Sequence, residues 1–206
     1  RHAFVKRHAR FAIVHCSPVS IPPQGTRDTD STMILDLLRL LLFPTLMAFA
    51  ASSDLLTMTI SNRVSLLLIA GFFVLAVATG MGLTEIGLHV AAGATVLMLS
   101  FTCFAMGWIG GGDAKVAAAS SLWFGFGFLL PYLLIASVFG GILTLLLLQF
   151  RQWPLPATLY SQSWLTRLHS NDSGIPYGIA LALAALLVYP ETDWIGAVDL
   201  ARFALH

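Results

Sequence analysis

Two aspartates, Asp54 and Asp113, are the residues whose type and position could do chemistry. Only five charged residues occur between positions 51 and 150: Asp54, Arg63, Glu85, Asp113 and Lys115. Ionisable groups beside long apolar runs are costly and mark functional positions. Two carboxylates held close in a partly dry site cannot both ionise easily, so one keeps a proton and can polarise a carbonyl while the other draws a proton from water. The pair is therefore a candidate for acid–base chemistry of the aspartic-protease type.

Taken singly, each aspartate also has a structural explanation. Asp113 follows three glycines and precedes an apolar run, so it could be the N-cap of a helix. Asp54 could be a loop residue on the approach to the next span. Glu85 falls in a short connection where water can solvate it. The argument for chemistry rests on the two aspartates together.

Other catalytic patterns are absent from the sequence. It has no Gly-x-Ser-x-Gly elbow, no His-Glu-x-x-His helix and no phosphate-binding Lys-Ser/Thr loop. His89 is expected at the far end of its span from both aspartates, as a packed or interfacial residue. Cys16 and Cys103 are not spaced as a redox pair or a metal site. These residues therefore offer no convincing metal site.

The elements that must position the aspartates are membrane spans. Of the 206 residues, 57% are apolar and 10% are charged, whereas a soluble domain has about 25% charged residues. The net charge of +1 gives no indication of a nucleic-acid partner. We predict an all-α, polytopic membrane protein with about six transmembrane helices. The predicted spans are Leu35–Ser52, Val64–Gly80, Ile86–Ile109, Ala114–Phe126, Phe128–Phe150 and Ile175–Tyr189.

The fourth predicted span is short, so we expect it to form a tight helical hairpin with the fifth, broken around Gly125–Gly127 and Pro131. The basic residues of the connections after the first, third and fifth spans are Arg63, Lys115, Arg151 and Arg167. By the positive-inside rule these connections face the cytoplasm. Both aspartates then lie at the cytoplasmic ends of their spans.

The chain divides into three parts by composition. Residues 1–32 are basic and precede Met33, so we expect them to be an upstream extension of a protein that starts at Met33, with a basic flexible tail as the alternative. Residues 33–190 form the membrane domain. Residues 191–206 place Trp194, Ile195, Val198 and Phe203 at helical spacing, which favours an interfacial tail.

Three local motifs resemble those of the type IV prepilin peptidases. Asp54 is followed by Ile60-Ser61-Asn62, where the family usually has Ile-Pro-Asn at this spacing. The run Gly110-Gly111-Gly112-Asp113-x-Lys115 is similar to the family's Gly-x-Gly-Asp motif with its following Lys. Ile175-Pro176-Tyr177-Gly178 resembles a Pro-Tyr-Gly motif at the start of the last span. The supporting residues are Ile60, Asn62, Gly110, Gly112, Lys115, Pro176, Tyr177 and Gly178.

The resemblance implies a membrane-embedded aspartic endopeptidase that removes the leader from prepilins and pseudopilins at the cytoplasmic face of the bacterial inner membrane. Asp54 and Asp113 would be its catalytic pair, acting with no metal and no cofactor. Its other partners would be the pilus assembly machinery and the lipid bilayer. Ser61 in place of Pro still suits a helix start, so we expect a modest effect. Nothing resembles the Cys-x-x-Cys domain of the long, methylating members. The chain is similar to the short, CpaA-like branch that serves Flp/Tad-type pili, which predicts cleavage without N-methylation.

Three alternatives remain open at this point. A presenilin-like or signal-peptide-peptidase-like protease also uses Gly-x-Gly-Asp, but it places both aspartates within the spans. A small membrane transporter or channel would use the aspartates for protons or cations, and should show charge or unwound helix near the bilayer midplane. An inactive relative would act as an assembly scaffold, which retention of both aspartates disfavours.

Overall fold

The computed structural model describes residues 26–153, 162–170 and 173–198, and these are helical and connected by short segments without a strand. The helices are α1 (Thr26–Thr57), α2 (Asn62–Ala78), α3 (Leu83–Ala105), α4 (Gly111–Gln152), α5 (Ser163–His169), α6 (Tyr177–Val188) and α7 (Asp193–Gly196). A 3₁₀ turn, Tyr189–Glu191, joins α6 to α7. Of the proposed extension, residues 1–32, positions 1–25 lie outside the described residues. Positions 26–32 belong to the start of α1.

The helices have the length and apolar surface of membrane spans. Thr32–Thr57, Leu83–Ala105 and Gly111–Gln152 are long and apolar enough to cross a bilayer, and Asn62–Ala78 and Tyr177–Glu191 are shorter apolar helices. Large apolar side chains point outward, for example Val77 at 72% and Leu145 at 69% exposure. Such a surface is stable against lipid and not against water. The protein is therefore an all-α, polytopic membrane protein, as predicted.

The predicted break in the fourth and fifth spans is present at Gly125. This residue has φ 56° and ψ −171°, so α4 consists of two arms. Ser120 and Tyr132, on different arms, share a hydrogen bond of 2.8 Å between their hydroxyl oxygens. In a straight helix twelve residues would separate them by about 18 Å, which their side chains cannot bridge. The arms therefore fold back on each other as a hairpin.

The carbonyls left without helical partners at this break are satisfied by side chains. The partners of Leu122 O and Trp123 O in an α-helix would lie beyond Gly125. His89 Nδ1 is 2.6 Å from Leu122 O, and Trp194 Nε1 donates to Trp123 O at 2.8 Å. An unpaired carbonyl in the bilayer would cost several kcal/mol. His89 is thus a packed residue, as expected, and its far-side position keeps it away from the aspartates.

An aromatic core fills the end of the bundle at which α4 is broken. Trp123 is fully buried, and its Nε1 donates to Leu68 O at 3.0 Å. Phe43, Phe72 and Trp194 pack around its ring, with centroids 5.0 to 6.1 Å away. Trp194 is buried in this core, in the segment expected to be an interfacial tail. Residues 199–206 of that tail lie outside the described residues.

Candidate active site

Asp54 lies inside α1, one turn before its end, and not in a loop as one of the structural explanations supposed. The apolar run ends at Ser52, but the helix continues to Thr57. The side chain of Asp54 is 4% exposed. Its Oδ2 accepts a hydrogen bond of 2.8 Å from the backbone N–H of Gly178, 124 residues later in the chain. Because Gly178 is in the first turn of α6, this bond joins the end of the first span to the start of the last.

Asp113 is the third residue of α4, and the N-cap is Gly110, so the N-cap explanation for this aspartate is wrong. A Cβ on Gly110 would lie 2.8 Å from Asp113 Oδ2, so only glycine leaves room for the carboxyl group to turn back over the cap. Asp113 Oδ1 is buried and has no hydrogen-bond partner among the residues that the structure describes. A buried acceptor of this kind is available to a substrate or a water molecule.

The structure brings the two aspartates together. Asp54 acts electrostatically on Asp113, and the Gly178 amide lies beside both carboxyl groups. Both side chains line one cavity of about 360 Å³ at this end of the bundle. Its other lining residues are Met58, Thr59, Ile60, Asn62, Gly110, Gly111, Gly112 and Lys115. Most of the predicted site residues therefore surround one space.

Two glycines allow the close approach of the three helix ends. A Cβ on Gly112 would lie 3.3 Å from Ile60 Cβ, and a Cβ on Gly178 would lie 2.8 Å from Ile60 Cδ1. Ile60 therefore occupies the space between the starts of α4 and α6. A side chain at Gly178 would force Ile60 or Asp54 to move, and one at Gly112 would require Ile60 to shift by a few tenths of an ångström.

The first two sequence motifs are joined by a direct hydrogen bond. Lys115 Nζ donates to Asn62 Oδ1 at 2.9 Å. Asn62 is the first residue of α2, and Ser61 is the N-cap, whose hydroxyl accepts from Arg63 N at 3.3 Å. Ser61 thus starts the helix in the place where the resembled family has Pro, as expected for a Ser at an N-cap.

Pro176 and Tyr177 lie at the start of α6, directly before Gly178. Pro176 is fully buried and is the N-cap of α6. The Tyr177 hydroxyl is 3.3 Å from Thr144 Oγ1, and its ring lies against Gly140, whose Cβ would meet it at 3.4 Å. Tyr177 does not line the cavity that contains both aspartates. It borders a second space, described below, that also reaches Asp113.

Arg151 is a positioning residue that the sequence did not reveal. Its guanidinium donates to the carbonyls of Leu168, Ser173 and Gly174 at 2.9 to 3.0 Å. The last two carbonyls lie directly ahead of the Pro-Tyr-Gly segment, so Arg151 fixes the chain that delivers the Gly178 amide. The sequence identified Arg151 only as a basic residue in a connection predicted to be cytoplasmic.

The basic residues share this end of the bundle. Lys115 lines the cavity, and Arg167 donates to Leu56 O at 3.4 Å, two residues from Asp54. Glu85 and His89 line a separate pocket at the opposite end, with Gly125 and Trp194. In the part of the chain that the structure describes, no group of three or more His, Cys, Asp or Glu side chains could hold a metal.

Comparison with known proteins identifies a family. The model of the type IV leader peptidase family matches residues 41–145, about half of the chain. The matched range includes both aspartates, Ile60, Asn62 and Lys115, whereas Pro176, Tyr177 and Gly178 lie beyond it. No match was found among curated proteins or among solved structures.

Proposed function

The chain belongs to the type IV leader peptidase family, and on that premise we propose that Asp54 and Asp113 are its catalytic pair. The protein would then be an aspartic endopeptidase that removes the leader from type IV prepilins and pseudopilins. The observation that carries the proposal is the placement of both carboxyl groups around the Gly178 amide, in one cavity at the end of the bundle. Carboxylates in such proximity share protons in the way that aspartic proteases require.

The proposed reaction needs only the two carboxyl groups and water. The ionised carboxylate takes a proton from a water molecule, whose oxygen adds to the scissile carbonyl carbon. The protonated partner first donates a hydrogen bond to that carbonyl and its proton passes to the amide nitrogen as the C–N bond breaks. We assign neither role to one residue, because closely coupled carboxyl groups titrate as a pair.

The remaining residues would hold this geometry. The Gly178 N–H orients Asp54, and Ile60 keeps α4 and α6 apart by one side chain. The Lys115–Asn62 bond joins the start of α2 to the first turn of α4, which carries Asp113. Misplacement of a reacting group by about 1 Å can lower a rate by about 100-fold. These contacts would therefore position the reacting carboxyl groups.

The proposed location is the bacterial inner membrane, with the site facing the cytoplasm. The support is the position of Arg63, Lys115, Arg151 and Arg167 at the end of the bundle that contains the cavity. A prepilin with a short basic leader ahead of an apolar helix would present its leader junction at this edge. Pilus assembly proteins would be the other partners.

We further propose that the substrates are Flp-type prepilins and that cleavage occurs without N-methylation. The support is the sequence resemblance to the short, CpaA-like branch. The two cysteines, Cys16 and Cys103, do not form a Cys-x-x-Cys motif. The connection between α1, which ends at Thr57, and α2, which begins at Asn62, is too short to contain a further domain.

The test is co-expression with a prepilin encoded beside this gene, read as a gel shift and as the intact mass of the product. Asp54→Asn and Asp113→Asn keep the side-chain shape and remove the titrating proton, so each should abolish cleavage. Glu85→Gln, the same change at the opposite end of the bundle, is the control and should cleave like the parent. A product one methyl group heavier than expected would refute the methylation proposal alone.

Cleavage that survives both Asp→Asn changes would show that the pair is structural. The transporter or channel hypothesis, in which the aspartates bind protons or cations, would then be the better account. The family match favours the peptidase over it.

A further inference from the structure

A groove on the lipid-facing side of the bundle begins at Asp113. It lies between the two arms of α4 and the first turns of α6, and has a volume of about 550 Å³. Its wall is formed mostly by small side chains, and the only ionisable groups among its lining residues are Asp113 and Tyr177. The small residues are Ala117, Ala136, Ser137, Gly140, Gly141, Thr144 and Ala180.

The length of the groove matches a short piece of helix. From Thr144 to Ala136 it follows the second arm of α4 for about 12 Å, at about 1.5 Å per residue. This distance corresponds to about two turns of an α-helix. The hydroxyl groups in the wall are already paired: Thr144 Oγ1 donates to Gly140 O at 2.7 Å and lies beside the Tyr177 hydroxyl, and Ser137 Oγ donates to Leu133 O at 2.7 Å. An apolar occupant would leave none of these hydroxyls unpaired.

The chemistry of the wall distinguishes this groove from a second one between α2 and α3. The second groove, of about 650 Å³, is also bordered by the first arm of α4. It contains small residues such as Gly93 and Ala94, but bulky chains such as Leu66, Ile69 and Phe73 form more of its wall than in the first groove, and Lys115 lies at its end. Long, adaptable side chains beside a cation suit a phospholipid. Small residues instead let two helix backbones approach closely, which is how helices associate within a bilayer.

The position of the groove relative to the aspartates also favours a peptide helix. Asp113 borders both the groove and the cavity that contains Asp54. The N-terminal end of a substrate helix in the groove would therefore lie beside the Asp113 carboxyl group. The substrate residues that precede this helix would enter the cavity. The unpaired Oδ1 of Asp113 is available to accept from that segment.

We propose that this groove binds the first two turns of the substrate's apolar helix and so determines which peptide bond reaches the aspartates. The inference rests on the proposed function, because it takes a prepilin as the occupant. Residues of the substrate helix beyond these two turns would face lipid.

Gly141→Leu tests the groove, because Gly141 is exposed in its wall and a Cβ there would meet nothing within 4 Å. The added side chain would extend into the groove from a Cβ that meets no neighbour. Gly87→Leu in α3 is the matched control, since Gly87 is also exposed and free of neighbours but borders neither groove. We expect cleavage of the prepilin to fall at least about tenfold in Gly141→Leu and to stay within about threefold of the parent in Gly87→Leu.

A photocrosslinking residue provides the direct measurement. Placed at Ser137, which is exposed in the groove, it should crosslink to the co-expressed prepilin, and placed at Gly87 it should not. Equal cleavage by the two leucine variants, together with no prepilin crosslink from position 137, would overturn the groove proposal. A crosslink to a second copy of the chain instead would also overturn it and assign the groove to a dimer.

These outcomes are separate from those of the proposed function. If the parent cleaves the prepilin and the Asp→Asn variants do not, the catalytic proposal stands whatever the groove variants do. If the parent fails to cleave, the crosslink from position 137 still decides whether the helix binds in the groove.

Discussion

Replacing Gly178 by alanine should disable catalysis with little change in the fold. The added Cβ would lie 2.8 Å from both Asp54 Oδ2 and Ile60 Cδ1, and 3.1 Å from Asp54 Cβ. Ordinary contact begins at 3.4 Å, so these neighbours must move by about 0.6 Å. Because Asp54 is buried and held by the Gly178 N–H, the movement stretches or breaks the bond that orients the carboxyl group.

The size of the effect follows from the bond and the displacement. A hydrogen bond to a charged group contributes about 1.5–3 kcal/mol, which corresponds to about a 10- to 150-fold change in rate. A displacement of this order at a reacting group gives a similar loss. We therefore expect kcat/KM for prepilin cleavage to fall by about 10- to 150-fold in Gly178→Ala.

Gly174→Ala is the matched control, because a Cβ at Gly174 would meet nothing within 4 Å and only the backbone carbonyl of this residue is used, by Arg151. Both variants should be purified in the same detergent, with thermal unfolding measured beside the cleavage rate of the prepilin. A rate for Gly178→Ala within about threefold of the Gly174→Ala rate, at equal stability, would refute the role of the Gly178 amide in positioning Asp54.

Two further changes address the bundle and the segment ahead of Gly178. Gly125→Ala should lower the free energy of unfolding by at least about 1–3 kcal/mol, because φ 56° is strained for alanine and its Cβ would lie 2.9 Å from His89 Cε1. Thermal unfolding against Gly127→Ala, whose Cβ would meet no neighbour, measures this, and equal midpoints would contradict it. Arg151→Met removes the donors to three carbonyls and should reduce kcat/KM about tenfold or more. Arg63→Met, at an exposed basic residue of the same end, controls for charge, and an equal effect of the two changes would show that charge alone matters.

The sequence predicted the fold well where hydropathy and glycine carried the information. The apolar runs located the helices, and the glycines near Pro131 located the break, which the structure has at Gly125. The predicted end of the first span was wrong by several residues. Hydropathy marks where side chains become polar, whereas α1 continues to Thr57 because its last turns, with Asp54, pack against α6.

The contacts that complete the site were less accessible to sequence. The topology predicted from the sequence places Asp54 and Asp113 on the same side of the membrane, and in the structure both line one cavity. The donor to Asp54 did not follow, because Gly178 is 124 residues away and donates through its backbone. Arg151 was missed for a related reason, since its partners are backbone carbonyls whose identity leaves no pattern.

The bond between Asp54 and Gly178 has a consequence for the biogenesis of the protein. Asp54 and Asp113 are synthesised well before Gly178, which belongs to α6. Until that helix enters the bilayer and docks, the buried carboxyl group of Asp54 has neither its hydrogen-bond donor nor its packing. If the two aspartates are the catalytic pair, as proposed, a nascent or truncated chain holds both of them without an assembled site, and docking of α6 is the step that would activate the peptidase.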